Sequence, residues 1–264
     1  MGSYKPFVIT ILVLLLIIAG MGGYIGFGIY KEKQEEENTI TVIDDVSVNL
    51  NIFYQIGDTL NKFDSAFNDT NSNYAGYLYN QDRLLASKFD GHAALFAAVY
   101  DDLVCNNTTQ YILGARVKNN FEKIFGSNLT YAPGNINAGQ YYNINYDKNS
   151  NTFSYTAQNV NKVYSPGYIS KTIKTTLENG QVTVIRKVFY VEYGSNSGGT
   201  DITKAIIYKK SNKQQKIGEV NLINNELNEN EVIGKFGSKL LTYKYIFKEN
   251  KVDDYSFYSL ELEK

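Results

Sequence analysis

Histidine and cysteine, which often act as nucleophiles or metal ligands, occur once each in this chain, as His92 and Cys105. They lie 13 residues apart, about 20 Å along one helix, which is too far for a thiol–imidazole pair. Two such residues also fall short of the three or four ligands of a zinc site. We therefore expect His92 on an apolar helix face and Cys105 as a buried, unreactive thiol, with no metal and no cofactor.

Carboxylates offer a second route to catalysis, and the chain carries three adjacent acidic pairs, Asp44–Asp45, Asp101–Asp102 and Asp253–Asp254. Neighbouring residues of a helix point about 100° apart, so such a pair does not by itself build the acid and base of a glycosidase. A catalytic pair would have to form between distant parts of the chain. The sequence predicts that the protein is not an enzyme, with an envelope hydrolase using carboxylates as an alternative.

The spacing of Asp147, Asn149 and Asn151 imitates the first ligands of a calcium loop. The sixth position is Thr152, where the loop needs glycine, and the twelfth is Gln158, where the ion needs glutamate. The stretch DKNSNT is also typical of a solvated turn between strands. We predict the turn and no metal site.

A cluster of five lysines falls within 13 residues, at Lys204, Lys209, Lys210, Lys213 and Lys216. Such a cluster is suited to an anionic surface, either a wall polymer or lipid headgroups. The simpler interpretation is that the lysines protect a strand edge and a turn from aggregation. Because the net charge is −1 and the lysines lack accompanying arginine clusters, we predict no nucleic-acid partner.

Residues 7–30 are an unbroken run of 24 uncharged, mostly apolar residues. As a helix the run would span about 36 Å, enough to cross a hydrocarbon core of about 30 Å. A cleaved signal has a shorter apolar region; a cleavage site at residues 19–23 is the alternative, although the chain stays apolar for seven more residues. We predict a single-pass anchor in the cell membrane at 7–30, a cytoplasmic tail at 1–6 and an extracellular domain.

Within this run, Gly22 and Gly26 form a GxxxG motif, and Ala19 and Gly23 repeat its spacing. Small residues so spaced let two membrane helices approach closely, which would make the protein a homo-oligomer. The alternative is that glycine is simply common in membrane helices. Besides the lipid bilayer, the expected partner is an unknown envelope protein or an anionic polymer.

After a charged linker at 31–40, charge and periodicity divide the chain. Residues 31–130 hold 8 basic and 14 acidic side chains, whereas residues 131–264 hold 17 and 13. The acidic part has helical periodicity, with a stripe at Val42, Val46, Phe53, Ile56, Leu60, Phe63 and Phe67. The stripe predicts a long helix packed on its own domain or, alternatively, a coiled-coil stalk. Two shorter helices are predicted, one capped by Asp90 and one ending at Gly126.

The basic part alternates between apolar and polar residues, which predicts antiparallel hairpins. One hairpin turns at Asn179–Gly180, the strongest short turn signal in the chain. In the last hairpin, one face is expected to carry Leu241, Tyr243, Tyr245 and Phe247 together with Tyr258, Leu260 and Leu262. We predict one α+β domain over residues 41–264, mainly helical to 126 and an antiparallel meander from 127.

The stretches VKNNFEKIFGSNLTY and YKYIFKENKVDDYSFYSLELEK resemble those of uncharacterised single-pass membrane-anchored proteins of low-GC Gram-positive bacteria. The resemblance covers about residues 75–264. The predicted plan is also similar to cystatin-like and nuclear-transport-factor-like cones, in which helices sit in a curved antiparallel sheet. The plan of a short tail, one span and an outer domain also resembles some envelope scaffolds of bacterial secretion and conjugation machines. Because the residues offer no catalytic motif, we predict a non-enzymatic binding or scaffold module at the cell envelope, with a component of a secretion or conjugation complex as the alternative.

The anchor has a direct test. If residues 7–30 stay in the bilayer, the protein migrates at full length and resists extraction of membranes with alkaline carbonate, because 24 uncharged residues exceed a typical cleaved region. Mass spectrometry of the mature amino terminus is the measurement. A terminus near Met21 or Gly23 would contradict a retained anchor.

Overall fold

A computed structural model describes residues 39–42, 50–104, 107–156, 164–195 and 201–263. These residues combine helices with two mostly antiparallel sheets, which confirms the α+β class. None of the helices they form is both long and apolar enough for a membrane crossing. The predicted span at 7–30, with Ala19, Gly22, Gly23 and Gly26, lies outside the described residues.

The helices are α1 (Leu50–Phe67), α2 (Gly91–Val99), α3 (Gly114–Phe125) and α4 (Glu229–Phe236). Two predicted boundaries are confirmed. The Asp90 side chain caps the start of α2 by accepting a hydrogen bond from the backbone N–H of Ala93. Gly126 follows the end of α3 with a φ of 54°, a conformation that glycine adopts without a steric penalty. Helix α4 was not predicted; the Asn228 side chain caps it.

The strands are β1 (Thr39–Val42), β2 (Arg83–Leu85), β3 (Thr109–Leu113), β4 (Ile136–Asn137), β5 (Asn143–Asp147), β6 (Thr152–Thr156), β7 (Gly167–Glu178), β8 (Gln181–Gly194), β9 (Lys204–Tyr208), β10 (Lys216–Asn221), β11 (Leu241–Lys251) and β12 (Asp254–Leu262). The main sheet has the order β1-β7-β8-β11-β12-β2, and β9 and β10 branch from β8. A second sheet has the order β3-β6-β5-β4. The main sheet is therefore not the simple meander that the sequence predicts.

Along one of its edges, strand β8 pairs first with one strand and then with another. Its residues 181–188 pair with β11, and its residues 190–194 pair with β9. Tyr190 is opposite Tyr208 at the end of β9, and Val188 is opposite Leu241 at the start of β11. The ends of β9 and β11 consequently meet beside β8, and the sheet forks there.

Each predicted hairpin forms. Between β7 and β8, Asn179 and Gly180 have φ angles of 51° and 68°, as a type I′ turn requires. In the last hairpin, Tyr245 is opposite Leu260, but the register shifts so that Phe247 is opposite Phe257. This bulge turns Tyr258 outward, where the Lys248 ammonium lies 3.5 Å from its ring centroid. The prediction that Tyr258 shares the inner face was wrong.

Two further predictions need correction. Val42 does not belong to a long helix, because Thr39–Val42 forms β1 and pairs in parallel with β7; Val46 lies outside the described residues. The linker at 31–40 is too long, since Thr39 and Ile40 are already in β1. Helices make up most of the described residues up to 126, alongside the short strands β2 and β3. Three consecutive β-branched residues, Thr39–Thr41, favour a strand over a helix.

The core lies between the first three helices and the two sheets. Phe63 of α1 is at its centre and contacts the rings of Phe67, Phe89, Phe125 and Phe257, with centroids 5.1–6.1 Å apart. A smaller apolar cluster joins α4 to β8, β9 and β10 through Phe189, Val191, Ala205, Ile207, Val220, Val232 and Leu240. Strand β8 is buried on both faces at residues 188–191, and helix α4 thus fixes the branch strands onto the main sheet.

Deletion of residues 255–264 should unfold or aggregate the domain. It removes the buried side chains of Tyr255, Phe257 and Leu260, each of which contributes roughly 1.5–3 kcal/mol, against a net domain stability of about 5–15 kcal/mol. It also leaves the β11 edge unpaired, since β12 lies between β11 and β2. Thermal unfolding followed by circular dichroism measures the effect. Cooperative melting within a few degrees of the intact chain would show that β12 is dispensable.

Candidate functional site

A groove opens at the fork of the main sheet, where β9 and β11 meet beside β8. It has a volume of about 740 Å³ and continues into a recess of about 340 Å³. Both parts are lined by Lys209, Gln215, Leu241 and Leu262. The groove exists because the β9–β10 turn and the segment before β11 leave the sheet on the same side of β8.

Lysines dominate the polar lining of this groove. Lys209, Lys216 and Lys239 line its larger part, and Lys210 lines the recess. Among the described residues, no carboxylate lies within ion-pairing distance of Lys209, Lys210 or Lys239. The acidic side chain in the lining is Glu263. The groove therefore presents positive charge that no ion pair among the described residues neutralises.

The remaining predicted lysines are held by carboxylates. Lys204 donates to Glu219 at 2.9 Å, Lys216 also pairs with Glu219, and Lys213 pairs with Glu192. The hydrogen bonds from Lys216 and Lys204 lower the pKa of Glu219 to about 2. Glu192 in turn raises the pKa of the Lys213 ammonium. Of the five predicted lysines, three line the groove: Lys209 and Lys210 without an ion pair among the described residues, and Lys216 as the partner of Glu219. The other two, Lys204 and Lys213, lie outside its lining.

The leucines at the floor of the groove are apolar but almost inaccessible to a ligand. Leu240 and Leu241 are each only 5% exposed, because they belong to the core clusters under the sheet. The apolar surface that stays accessible comes from Ile217 and Leu262, which are half-buried. The arrangement is suited to binding a hydrophilic anion along its length rather than to enclosing an apolar ligand.

A second, smaller cleft of about 260 Å³ lies at the carboxyl end of α1. One wall is formed by residues 64–71, and the other by the start of β7 and the end of β8, with Tyr193. The Asp64 carboxylate in this cleft is held by Arg186, which donates from Nη1 to Oδ1 at 2.9 Å and from Nη2 to Oδ2 at 2.7 Å. Arg186 is 5% exposed, so the cleft contains one half of a largely buried ion pair.

Asp69 makes the loop after α1 rigid. Its Oδ2 accepts hydrogen bonds from the hydroxyls of Tyr100 and Tyr142, both at 2.5 Å. Its Oδ1 accepts from the backbone and the side-chain nitrogen of Asn71, at 2.9 and 3.0 Å. Burial and the bond to Asp69 raise the pKa of Tyr100, so this phenol stays a hydrogen-bond donor. Four donors around one carboxylate fix the wall of the cleft in place.

The other residues with chemical potential are placed apart from both sites. His92 is exposed on α2, so the expectation that it lies on an apolar face was wrong; Cys105 lies outside the described residues. Asp101 pairs with Lys62, and Asp102 with Arg116. Asp147 closes the β5–β6 turn by accepting hydrogen bonds from Asn149 and Ser150. Within the described ranges, no three acidic, histidine or cysteine side chains converge on a metal-sized site.

Comparisons with protein-family models, with curated proteins and with solved structures give no match for this chain. The predicted resemblance to membrane-anchored Gram-positive proteins and to cystatin-like cones stays a prediction. Function must accordingly be argued from the two sites themselves.

Sequence reasoning found most of the lysine groove but missed Lys239, which lies 23 residues beyond Lys216. It missed the cleft entirely, because Asp64 and Arg186 are separated by 122 positions. No local pattern marks either residue. The available signals are an acidic residue on the polar flank of an amphipathic helix and an arginine that lies between two valines, its neighbours on the same face of β8.

Replacing Asp64 with alanine should destabilise the domain by about 3–5 kcal/mol, because the Arg186 guanidinium would stay buried without its partner. Chemical denaturation of the full-length chain measures the change. The matched control is Asp58→Ala on the same helix, whose carboxylate is 57% exposed and lies 3.7 Å from Lys62; it should lose less than about 1 kcal/mol. Equal losses in the two variants would contradict the buried ion pair.

Proposed function

We propose that this protein is a non-enzymatic binding module of the cell envelope, and that the lysine groove holds an anionic polymer. In this proposal residues 7–30 anchor the chain in the cell membrane and residues 41–264 form an extracellular domain. The observation that carries the proposal is the set of three groove lysines, Lys209, Lys210 and Lys239, that no carboxylate of the described residues neutralises.

The charge distribution supports an anionic ligand. The protein pairs Lys204, Lys213 and Lys216 with its own glutamates, although the whole chain has a net charge of −1. The positive charge left in the groove is therefore local. A concave surface lined by charge of one sign concentrates ligands of the opposite sign, and phosphate groups are common ligands for lysine.

The shape of the groove favours a polymer over a lipid. Its lysines are distributed over two connected spaces, which suits repeated charges along one chain. A lipid site would also be expected to offer a fully exposed apolar surface to the acyl chains, whereas Leu240 and Leu241 are buried and Ile217 and Leu262 are half-buried. A phosphate-bearing polymer fits both features.

The carboxylates in the cleft do not favour the hydrolase alternative. A general acid or base needs a carboxylate that is free to exchange a proton with the substrate. Asp64 is instead paired with Arg186, and Asp69 accepts hydrogen bonds from four donors. Both carboxylates thus serve contacts within the fold.

The test compares polymer binding by two triple variants of the full-length chain. Lys209→Ala, Lys210→Ala and Lys239→Ala together should weaken binding of long-chain inorganic polyphosphate by about a hundredfold, since a lysine beside an anionic surface contributes about 1 kcal/mol. The control removes the same charge at Lys118, Lys123 and Lys251, which are exposed outside the groove. Fluorescence anisotropy of labelled polyphosphate measures both.

The control variant should bind within about threefold of the unchanged chain, and binding should weaken as salt is raised. Equal loss in both triple variants would show that affinity follows net charge and not the groove. Vesicles containing phosphatidylglycerol form a separate arm of the experiment. Because residues 7–30 are themselves expected to enter vesicles, the readout is the difference between the unchanged chain and the groove variant. Loss of vesicle binding in the groove variant, with polyphosphate binding unchanged, would overturn the assignment to a polymer.

A further inference from the structure

The cleft at the end of α1 has a chemistry opposite to that of the lysine groove. Of the described residues that line it, none is lysine, arginine or histidine. Two are aspartates, and most of the others carry hydroxyl, amide or phenol groups. Arg186 lies behind Asp64 with 5% exposure and is not part of the lining. Such a cleft disfavours anions and offers hydrogen bonds to neutral or cationic ligands.

Asp64 retains capacity to accept a hydrogen bond from a ligand. Its Oδ1 accepts from Arg186 and from the Ser170 hydroxyl at 2.6 Å, whereas its Oδ2 accepts only from Arg186 among the described residues. A carboxylate oxygen has two acceptor positions, so one on Oδ2 remains. The Asp64 side chain is 25% exposed, and a ligand in the cleft can therefore reach it.

The state of the carboxylates argues for a neutral ligand rather than an organic cation. The charge of Asp64 is offset by the two hydrogen bonds from Arg186. The oxygens of Asp69 are occupied by donors from Asn71, Tyr100 and Tyr142. The charge of Asp64 is thus already balanced by Arg186, and the four donors to Asp69 leave it no acceptor position for an ammonium group.

Size and aromatic lining limit the ligand further. A volume of about 260 Å³ lies below the range of about 300–1,000 Å³ that is typical for drug-sized ligands. Tyr193, which is partly exposed, lines the cleft and has its pKa raised mainly by burial, so its phenol remains a neutral donor. An aromatic ring beside hydroxyl-binding groups is suited to a molecule that has both C–H faces and hydroxyls.

We propose that this cleft binds a single neutral sugar unit, with Asp64 Oδ2 accepting one ligand hydroxyl and the Tyr193 ring lying against a C–H face. The walls are preformed, because Asp69 fixes one side and the paired strands β7 and β8 fix the other. Binding therefore requires little ordering of the protein. The site is independent of the lysine groove.

The test uses saturation-transfer NMR on the full-length chain with the methyl glycosides of glucose and N-acetylglucosamine, and with choline as an organic cation. At least one glycoside should receive saturation at its ring protons. Ser65→Tyr should reduce that transfer by about tenfold or more, because Ser65 lines the cleft and is exposed, so a larger side chain blocks the space without disturbing the core.

Asn61→Tyr is the matched control. Asn61 is exposed on the same helix, one turn before Ser65, and does not line the cleft; this variant should bind like the unchanged chain. Unchanged thermal melting of both variants checks the fold. The variant that lacks Lys209, Lys210 and Lys239 should also keep full sugar binding, which separates this proposal from the polymer groove.

Three results would overturn the proposal. The first is no saturation of either glycoside, and the second is equal saturation in the Ser65→Tyr and unchanged chains. The third is saturation of choline together with loss of the glycoside signal in competition, which would assign the cleft to an organic cation.

Discussion

The position of helix α1 on the main sheet depends on the ion pair between Asp64 and Arg186. The guanidinium is almost fully buried, forms two hydrogen bonds to Asp64, donates to the Ser170 carbonyl and has its carbon 5.7 Å from the centroid of the Tyr245 ring. A buried charge is tolerated only when its partners are in place. Placements of α1 that separate Asp64 from Arg186 are therefore penalised, and the aromatic core around Phe63 packs in the placement that keeps the pair together.

Both candidate sites follow from the course of β8. Arg186 comes from the middle of this strand and holds Asp64 at the edge of the cleft. Farther along the same strand, pairing changes from β11 to β9, and the lysine groove opens at that change. One long strand thus supports two surfaces of different charge, a cleft with two aspartates and a groove lined by lysines.

The local features of the fold could be predicted from sequence. The Asn179–Gly180 turn, the Asp90 cap and the end of α3 at Gly126 are each decided by a few neighbouring residues. Features that depend on distant pairing could not be predicted. The parallel pairing of β1, the bulge that turns Tyr258 outward and the entry of Lys239 into the groove depend on strands brought together only by the complete fold.

Lysine footprinting tests most directly the claim that the groove binds an anionic polymer. The full-length chain is acetylated with and without polyphosphate, and modification is quantified by mass spectrometry at each lysine. The account predicts that Lys209, Lys210 and Lys239 become protected, while the exposed Lys123 and Lys251 react as before. Uniform protection of all lysines, or protection of Lys123 and Lys251 alone, would contradict it.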